Sequence, residues 1–226
     1  EAPTGVNDTG IINEDGTLTI SNGASANSIT SGAITWDSSP YDISGQENLP
    51  ASLTFNNDGT KMFVAGNTGD DINEYHLSTA WDVSTASYDS ALDVSSQINE
   101  AFGMAWNLDG TKLFVADAGN GDDINEYTLT TAFDVSTASF VDALSVSSQD
   151  SRPCGIRFNA DGTKLYVTGF YNDFINEYNL STAFDISTGS YSKQFDVDDW
   201  DVYPRDVQFN PDGTRMWVVG GAGDDI

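Results

Sequence analysis

Short apolar runs alternate with glycine- and aspartate-rich segments along most of the chain, and the pattern repeats. The phrase N-x-D-G-T-[KR], followed by a mostly apolar run, begins at Asn56, Asn107, Asn159 and Asn210, so successive copies are 51, 52 and 51 residues apart. A fixed period of this size indicates one supersecondary unit stacked on copies of itself.

Within one period the pattern predicts four strands. In the second repeat, apolar and small residues alternate before an Asp109-Gly110 pair, and glycine tolerates the positive φ that a tight hairpin turn demands. A Ser/Thr-rich turn at 130–134, whose hydroxyls can cap a single helical turn, precedes the last strand. The predicted strands are Ala101–Trp106, Lys112–Ala116, Asp123–Leu129 and Phe140–Val146.

Four short antiparallel strands in about 50 residues predict the blade of an all-β protein, a β-propeller. The chain supplies three whole blades and partial blades at both ends, with repeat units near 49–98, 99–150, 151–202 and 203–226 inside a propeller region 34–226. Two sets of equivalent apolar positions are predicted to form the core: Leu53, Met104, Ile156 and Val207, and Phe55, Trp106, Phe158 and Phe209.

Residues 1–33 differ in composition, being rich in Gly, Ser, Asn and Thr. We predict a linker or a partial module there. A strand-like alternation over 8–20 leaves a second interpretation open, in which this segment donates a strand to an open sheet edge in its own chain or in a neighbour.

The charge of the chain limits the classes of partner that it can bind. The 226 residues carry 8 Lys+Arg against 35 Asp+Glu, a net charge of −27, with 38% hydrophobic content. The hydrophobic content is enough for a folded core, whereas the charge repels nucleic acid phosphates and anionic membranes. No run of 18 apolar residues is present, so we expect no membrane insertion. The net negative charge predicts that the chain does not bind nucleic acid.

Nucleophilic catalysis has little support in the sequence. Cys154 is the single cysteine and His76 the single histidine, and His76 occupies a slot that holds Thr128 and Asn179 in the other repeats. We therefore interpret Cys154 as a small buried hydrophobe and predict no catalytic residue.

Two stretches of the chain resemble known families. The phrase D-G-T-K-L-Y-V at 161–167 and the string 180–188, with its period, resemble the repeats of bacterial and phage extracellular β-propellers. Pro3, the segment 6–8 and the segment 13–18 resemble the opening strand of cadherin-like repeats in bacterial surface adhesins. The propeller resemblance implies a protein that binds or scaffolds at surfaces, outside the cell, at the cell surface or on a phage particle.

Acidic residues are predicted to gather on one face of the propeller, where the loops between second and third strands meet the loops between blades. Carboxylates in glycine-rich loops suit a hard cation such as Ca²⁺, although a solvated acidic rim is the alternative. The candidate metal ligands are Asp71, Asp123, Asp173 and Asp225. Recurring lysines (Lys61, Lys112, Lys164) and glutamates (Glu74, Glu126, Glu177) obey the repeat, so a structural role is predicted for them.

Departures from the repeat are the better guide to binding. Aromatic residues beside arginines can stack on sugar rings or hold an acidic glycan. The candidate ligand-binding residues are Arg152, Tyr171, Trp200, Tyr203 and Arg205.

These observations predict a non-enzymatic extracellular module for adhesion, receptor binding or scaffolding. Its partner would be a surface glycan, a protein receptor or copies of itself. Two alternatives stay open: a fibre subunit joined by strand donation, and a secreted carbohydrate-active enzyme.

Overall fold

The computed structural model describes residues 17–18, 34–35, 40–119, 121–199, 202–210 and 212–221. The chain divides into two compact units, Glu1–Tyr41 and Asp42–Ile226. In the first unit, β1 (Thr17–Leu18) pairs antiparallel with β2 (Ile34–Thr35). The predicted linker or donor strand lies otherwise outside the described residues.

The second unit is built from consecutive antiparallel sheets. The first sheet contains β3 (Pro50–Phe55), β4 (Lys61–Gly66), β5 (Asp71–Leu77) and β6 (Ala86–Asp93), and the second contains β7 (Ala101–Trp106), β8 (Lys112–Asp117), β9 (Asp123–Leu129) and β10 (Ala138–Ser145). The third contains β11 (Pro153–Phe158), β12 (Lys164–Gly169), β13 (Phe174–Leu180) and β14 (Gly189–Asp196), and β15 (Pro204–Phe209) pairs with β16 (Met216–Gly220) in the fourth.

Each four-stranded sheet keeps its strands in chain order, so neighbours are joined by hairpins. The first strands β3, β7, β11 and β15 contact one another in sequence, which places them innermost, around a common axis. Each of them contains a register shift near its beginning, for example between Pro204 and Asp206. A bulge of this kind re-aims the side chains that follow it.

Local chemistry explains the hairpins and the turns. Gly110 has φ 72°, as the predicted tight turn requires. The helical turn lies slightly later than predicted, at Val135–Thr137, because the side chain of Asp134 accepts the Ser136 N–H and so caps a short 3-10 helix. The first three strands of the second repeat agree with the prediction to within one residue, and the fourth begins two residues earlier.

The core lies between neighbouring sheets. Phe63 and Ile72 of the first sheet pack with Met104 and Leu113 of the second, and equivalent clusters join the second sheet to the third and the third to the fourth. One predicted core position is wrong: Leu53 is 56% exposed, whereas its equivalent Met104 is 1% exposed. Met104 packs against the sheet that precedes its own, whereas the second unit contains no described sheet before the first one that could cover Leu53 in the same way.

The same set of polar contacts joins neighbouring sheets at two places, and we call this lysine–glutamate arrangement the clasp. Lys112 Nζ donates to Glu126 Oε1 at 2.6 Å and to the carbonyl oxygen of Phe184 in the third sheet at 2.7 Å. The other oxygen of Glu126 accepts the N–H of Ile186. Lys61 and Glu74 make the same contacts with Phe133 and Val135. The described part of the chain contains no helix with the length and apolarity that a membrane span needs.

Candidate functional site

A cavity of about 560 Å³ lies where the innermost strands meet. Its walls come from β3, β7, β11 and β15, together with Val219 of β16 and Asn67 after β4. In the fourth sheet the bulged residue is Arg205, and Asp206 follows it directly. We call this space the axial cavity.

Three charged residues line the axial cavity, namely Arg157, Arg205 and Asp206. All three depart from the repeat. Asp206 stands at the slot of Ser52, Gly103 and Gly155, Arg157 at the slot of Thr54, Ala105 and Gln208, and Arg205 at the slot of Ala51, Phe102 and Cys154.

Asp206 and Arg157 form an ion pair, with 2.7 Å between Arg157 Nη2 and Asp206 Oδ2. The other oxygen, Oδ1, accepts the N–H of Val207. Burial raises the pKa of Asp206 above its ordinary value, although Arg157 opposes that shift. Since 36% of the Asp206 side chain is still exposed, the carboxylate has both a perturbed pKa and access to solvent.

The sequence singled out Arg205 as a departure from the repeat but missed Asp206. In so acidic a chain a single aspartate carries no signal by itself. The signal that identifies it is its register, because small residues occupy the same slot in the three other repeats.

At the rim of the axial cavity, the structure brings together the predicted ligand-binding residues that it describes. They surround the ring of Phe170: Tyr203 stacks on it at 4.9 Å and Tyr171 meets it edge-on at 5.2 Å between centroids. The guanidinium carbons of Arg152 and Arg205 lie 5.1 Å and 5.3 Å from its centre. Trp200 lies outside the described residues.

The predicted metal ligands lie at the starts of three different third strands. Asp71 and Asp123 are the first residues of β5 and β9, whereas Asp173 precedes β13 and corresponds instead to Asp70 and Asp122. Asp173 Oδ1 accepts the N–H of Tyr203 at 2.7 Å. Among the described residues no group of three or more His, Cys, Asp or Glu side chains could hold a metal ion. Asp225 lies outside the described residues, and calcium binding stays a prediction.

Three other acidic residues of the loops on this face are buried. Glu47, Asp117 and Asp150 are each 1% exposed or less, and their carboxylates accept backbone N–H groups of the neighbouring loops. They are buried structural groups, not a solvated surface.

Cys154 is buried beside this site. Burial raises the pKa of its thiol to about 11, so the thiol is protonated at neutral pH and is a poor nucleophile. His76 is exposed on β5, in the strand of the first sheet next to its outer edge.

No protein-family model matches the chain, and no curated protein matches it significantly. Among solved structures, the β-propeller domain of Cps50 (Swd1) from Myceliophteria thermophila is similar, with 11% identity and a TM-score of 0.53 over 77% of this chain and 51% of that one. The periplasmic gluconolactonase PpgL of Pseudomonas aeruginosa is similar with 13% identity and a TM-score of 0.53, over 77% of this chain and 48% of that one. A Bacteroides fragilis protein provisionally described as a 6-phosphogluconolactonase is similar with 13% identity and a TM-score of 0.53, over 92% of this chain and 55% of that one.

The radial four-stranded sheets and these similarities confirm the predicted all-β propeller fold. At such low identity the similarities show the fold alone, and the chain spans about half the length of the structures it resembles.

The comparisons correct the functional expectation. A non-enzymatic adhesion or scaffold module was the leading prediction, but two of these three similar propellers are described as sugar lactonases. Their names agree with the alternative of a carbohydrate-active enzyme and not with that leading prediction, and they lend no support to the expected absence of catalysis.

Proposed function

We propose that this propeller belongs to a carbohydrate-active hydrolase, and that its axial cavity opens the ring ester of a sugar lactone. One observation carries the proposal. Asp206, with a raised pKa, lines the axial cavity beside Arg157 and Arg205, at slots where the other repeats have small, apolar or neutral residues. A charged residue that departs from the repeat and lines a cavity is a candidate for a functional role.

The chemistry needs a base and a group that stabilises negative charge. The Asp206 carboxylate takes a proton from water, and the resulting hydroxide attacks the lactone carbonyl carbon. The positive charges of Arg157 and Arg205, which line the same cavity, stabilise the negative charge that develops on the carbonyl oxygen. When the ring C–O bond breaks, the leaving oxygen takes the proton back from Asp206. One lactone and one water give one hydroxy acid.

Arg157 acts as a positioning residue in this scheme. Its contact with Asp206 Oδ2 holds the carboxylate toward the cavity and limits how far burial raises its pKa. A base is most effective when its pKa is near the working pH, so this balance matters for the rate.

Two further observations support the proposal. The names of two similar propellers refer to lactones of gluconate or its 6-phosphate, and one of those proteins is periplasmic. The resemblance of the repeats to those of bacterial and phage extracellular propellers agrees with a place outside the cytoplasm, as does the net charge of −27. We therefore propose a secreted or periplasmic enzyme.

The test is hydrolysis of glucono-1,5-lactone and of its 6-phosphate, followed as acid release in a pH-stat above the spontaneous rate. We expect Asp206→Asn to lower the enzymatic rate at least about 100-fold, the usual contribution of a general base. Asp212→Asn is the matched control, because Asp212 lies in the β15–β16 turn and only orders the backbone and side chain of Thr214 and the amide of Asn210. A rate no higher than the spontaneous one, or an equal loss in both variants, would overturn the proposal.

A further inference from the structure

Three aromatic side chains form a surface beside the axial cavity. Phe170 and Tyr171 follow β12, and Tyr203 directly precedes β15. Tyr171 and Tyr203 are 56% and 44% exposed, although each contacts the ring of Phe170. We call Phe170, Tyr171 and Tyr203 the aromatic platform.

The backbone holds the aromatic platform in place. Tyr203 has φ 64°, an uncommon conformation for an aromatic residue, and its N–H donates to Asp173 Oδ1 at 2.7 Å. The N–H of Tyr171 donates to the buried carboxylate of Asp150. The ring positions are therefore fixed by two carboxylates, and rigid aromatic groups bind ligands with little loss of side-chain entropy.

Arginines flank the aromatic platform, and one of them has no acidic partner in the described part of the chain. Arg152 lies between the rings of Phe102 and Phe170 and pairs with Glu100 at 3.0 Å. Arg205 packs on Phe170 but has no carboxylate within ion-pair distance among the described residues. Acids outnumber bases 35 to 8, and most of the other basic side chains do have such a partner: Lys61, Lys112, Lys164, Lys193, Arg152 and Arg157.

The aromatic platform is continuous with the axial cavity. Arg205 lines the cavity and packs directly on the ring of Phe170. Phe102 also lines the cavity and contacts Arg152, which packs on Phe170. A ligand whose reacting ring lies at Asp206 can therefore extend over Tyr203.

We propose that the aromatic platform is a second sugar subsite that binds an anionic sugar unit, so that an acidic oligosaccharide derivative is a better substrate than a free monosaccharide. The inference rests on the proposed function, because it assumes that the reacting ring lies in the axial cavity. The apolar C–H face of a sugar ring stacks on the exposed ring of Tyr203 or Tyr171, while Phe170, covered by Tyr203 and the two arginines, supports these rings. Arg205 has the planar fork that matches a carboxylate, and this anion supplies the partner that no described residue supplies.

The test is calorimetric titration with tetragalacturonate and with its fully methyl-esterified form, which has the same rings without the charges. We expect the charged probe to bind at least about tenfold more tightly, since hydrogen bonds to charged groups are the stronger ones. Tyr203→Ala should weaken both probes several-fold through lost stacking. Arg205→Gln should weaken the charged probe alone.

Tyr191→Ala is the matched control, because Tyr191 is a similarly exposed aromatic residue on the outermost strand of the third sheet. Equal affinity for the two probes, or an equal loss in the Tyr191 variant, overturns the inference. Asp206→Asn separates the two proposals, since it should abolish lactone turnover while the preference for tetragalacturonate over its methyl ester persists. Turnover without probe binding refutes only the second subsite, and probe binding without turnover refutes only the hydrolase.

Discussion

The carboxylate of Asp150 fills the space that Gly169 leaves by having no side chain, since a Cβ on Gly169 would overlap Asp150 Oδ2. The carboxylate accepts the N–H groups of Arg152 at 2.6 Å and of Tyr171 at 3.2 Å. It thereby fixes the loop before β11 to the loop after β12. The first sheet has the same arrangement with Glu47 and Gly66.

In the second repeat the same two loops are joined by a carboxylate that comes from the other position of this pair. Ile98 stands at the slot of Asp150, and Asp117 stands at the slot of Gly169. The carboxylate of Asp117 accepts the N–H groups of Glu100 and Gly119, which correspond to Arg152 and Tyr171. The position of the carboxylate in space is therefore kept, while the residue that provides it changes.

This exchange can be tested by transplanting the second arrangement into the third repeat. Asp150→Ile alone leaves buried N–H groups without acceptors, each costing about 1–3 kcal/mol of unfolding free energy. Gly169→Asp alone places a second carboxylate against Asp150. The double variant should recover part of both losses, with a coupling of roughly 0.5–3 kcal/mol between residues in contact. Urea unfolding measures it, and strict additivity of the two single losses would contradict the exchange.

The same comparison explains what the sequence could predict. The strands, the hairpins and the radial stacking follow from periodic patterns, and the structure confirms them. The burial of Asp150 could not be read from the pattern, because an aspartate in a loop normally predicts a solvated side chain. Asp206 was missed for a related reason, because it stands out only when the residues at the equivalent position of all four repeats are compared.

The clasp between sheets gives a second prediction. Lys112→Met should leave the Glu126 carboxylate, which is 3% exposed, without its cation, and breaking a buried pair in this way costs about 3–5 kcal/mol of unfolding free energy. Thermal and urea unfolding of the variant measure the loss.

Lys164→Met is the matched control for Lys112→Met. Glu177 is 4% exposed, but Lys193 Nζ lies 3.7 Å from its other oxygen and can partly replace Lys164. We expect the loss at Lys164 to be clearly smaller than the loss at Lys112. Equal losses would mean that Lys193 contributes nothing to the neutralisation of Glu177.

The hairpin glycines give a third prediction. Gly110 and Gly213 have nearly the same backbone, with φ 72° and 68°, but a Cβ on Gly110 would overlap the ring of Phe133, whereas a Cβ on Gly213 meets no described atom within 4 Å. Alanine at either position pays the left-handed backbone cost of roughly 1–2 kcal/mol. Gly110→Ala should lose more unfolding free energy than Gly213→Ala, because of these two glycines only Gly110 has an aromatic ring packed against it. Equal melting temperatures for the two variants would show that the ring moves aside freely.

The last prediction concerns the pH dependence of the proposed lactonase activity. Asp206 acts as a base only when it is deprotonated, so the rate should fall as the pH drops through its pKa, which burial raises above the ordinary 3.8. Arg157 lowers that pKa through its positive charge. Arg157→Gln should therefore shift the acidic limb of the pH–rate profile to higher pH, whereas Arg215→Gln, at the far end of the β15–β16 hairpin, should leave the limb in place.

Unfolding at low pH has to be separated from this effect. Because the pKa of Asp206 is higher in the folded state than in the unfolded chain, its protonation favours the folded state between the two pKa values. The stability that Asp206 contributes therefore increases as the pH falls through that window, while the proposed activity decreases. A melting temperature measured at each pH distinguishes the two. An acidic limb that follows the melting temperature, or that is unmoved in Arg157→Gln, would refute the assignment of Asp206 as the base.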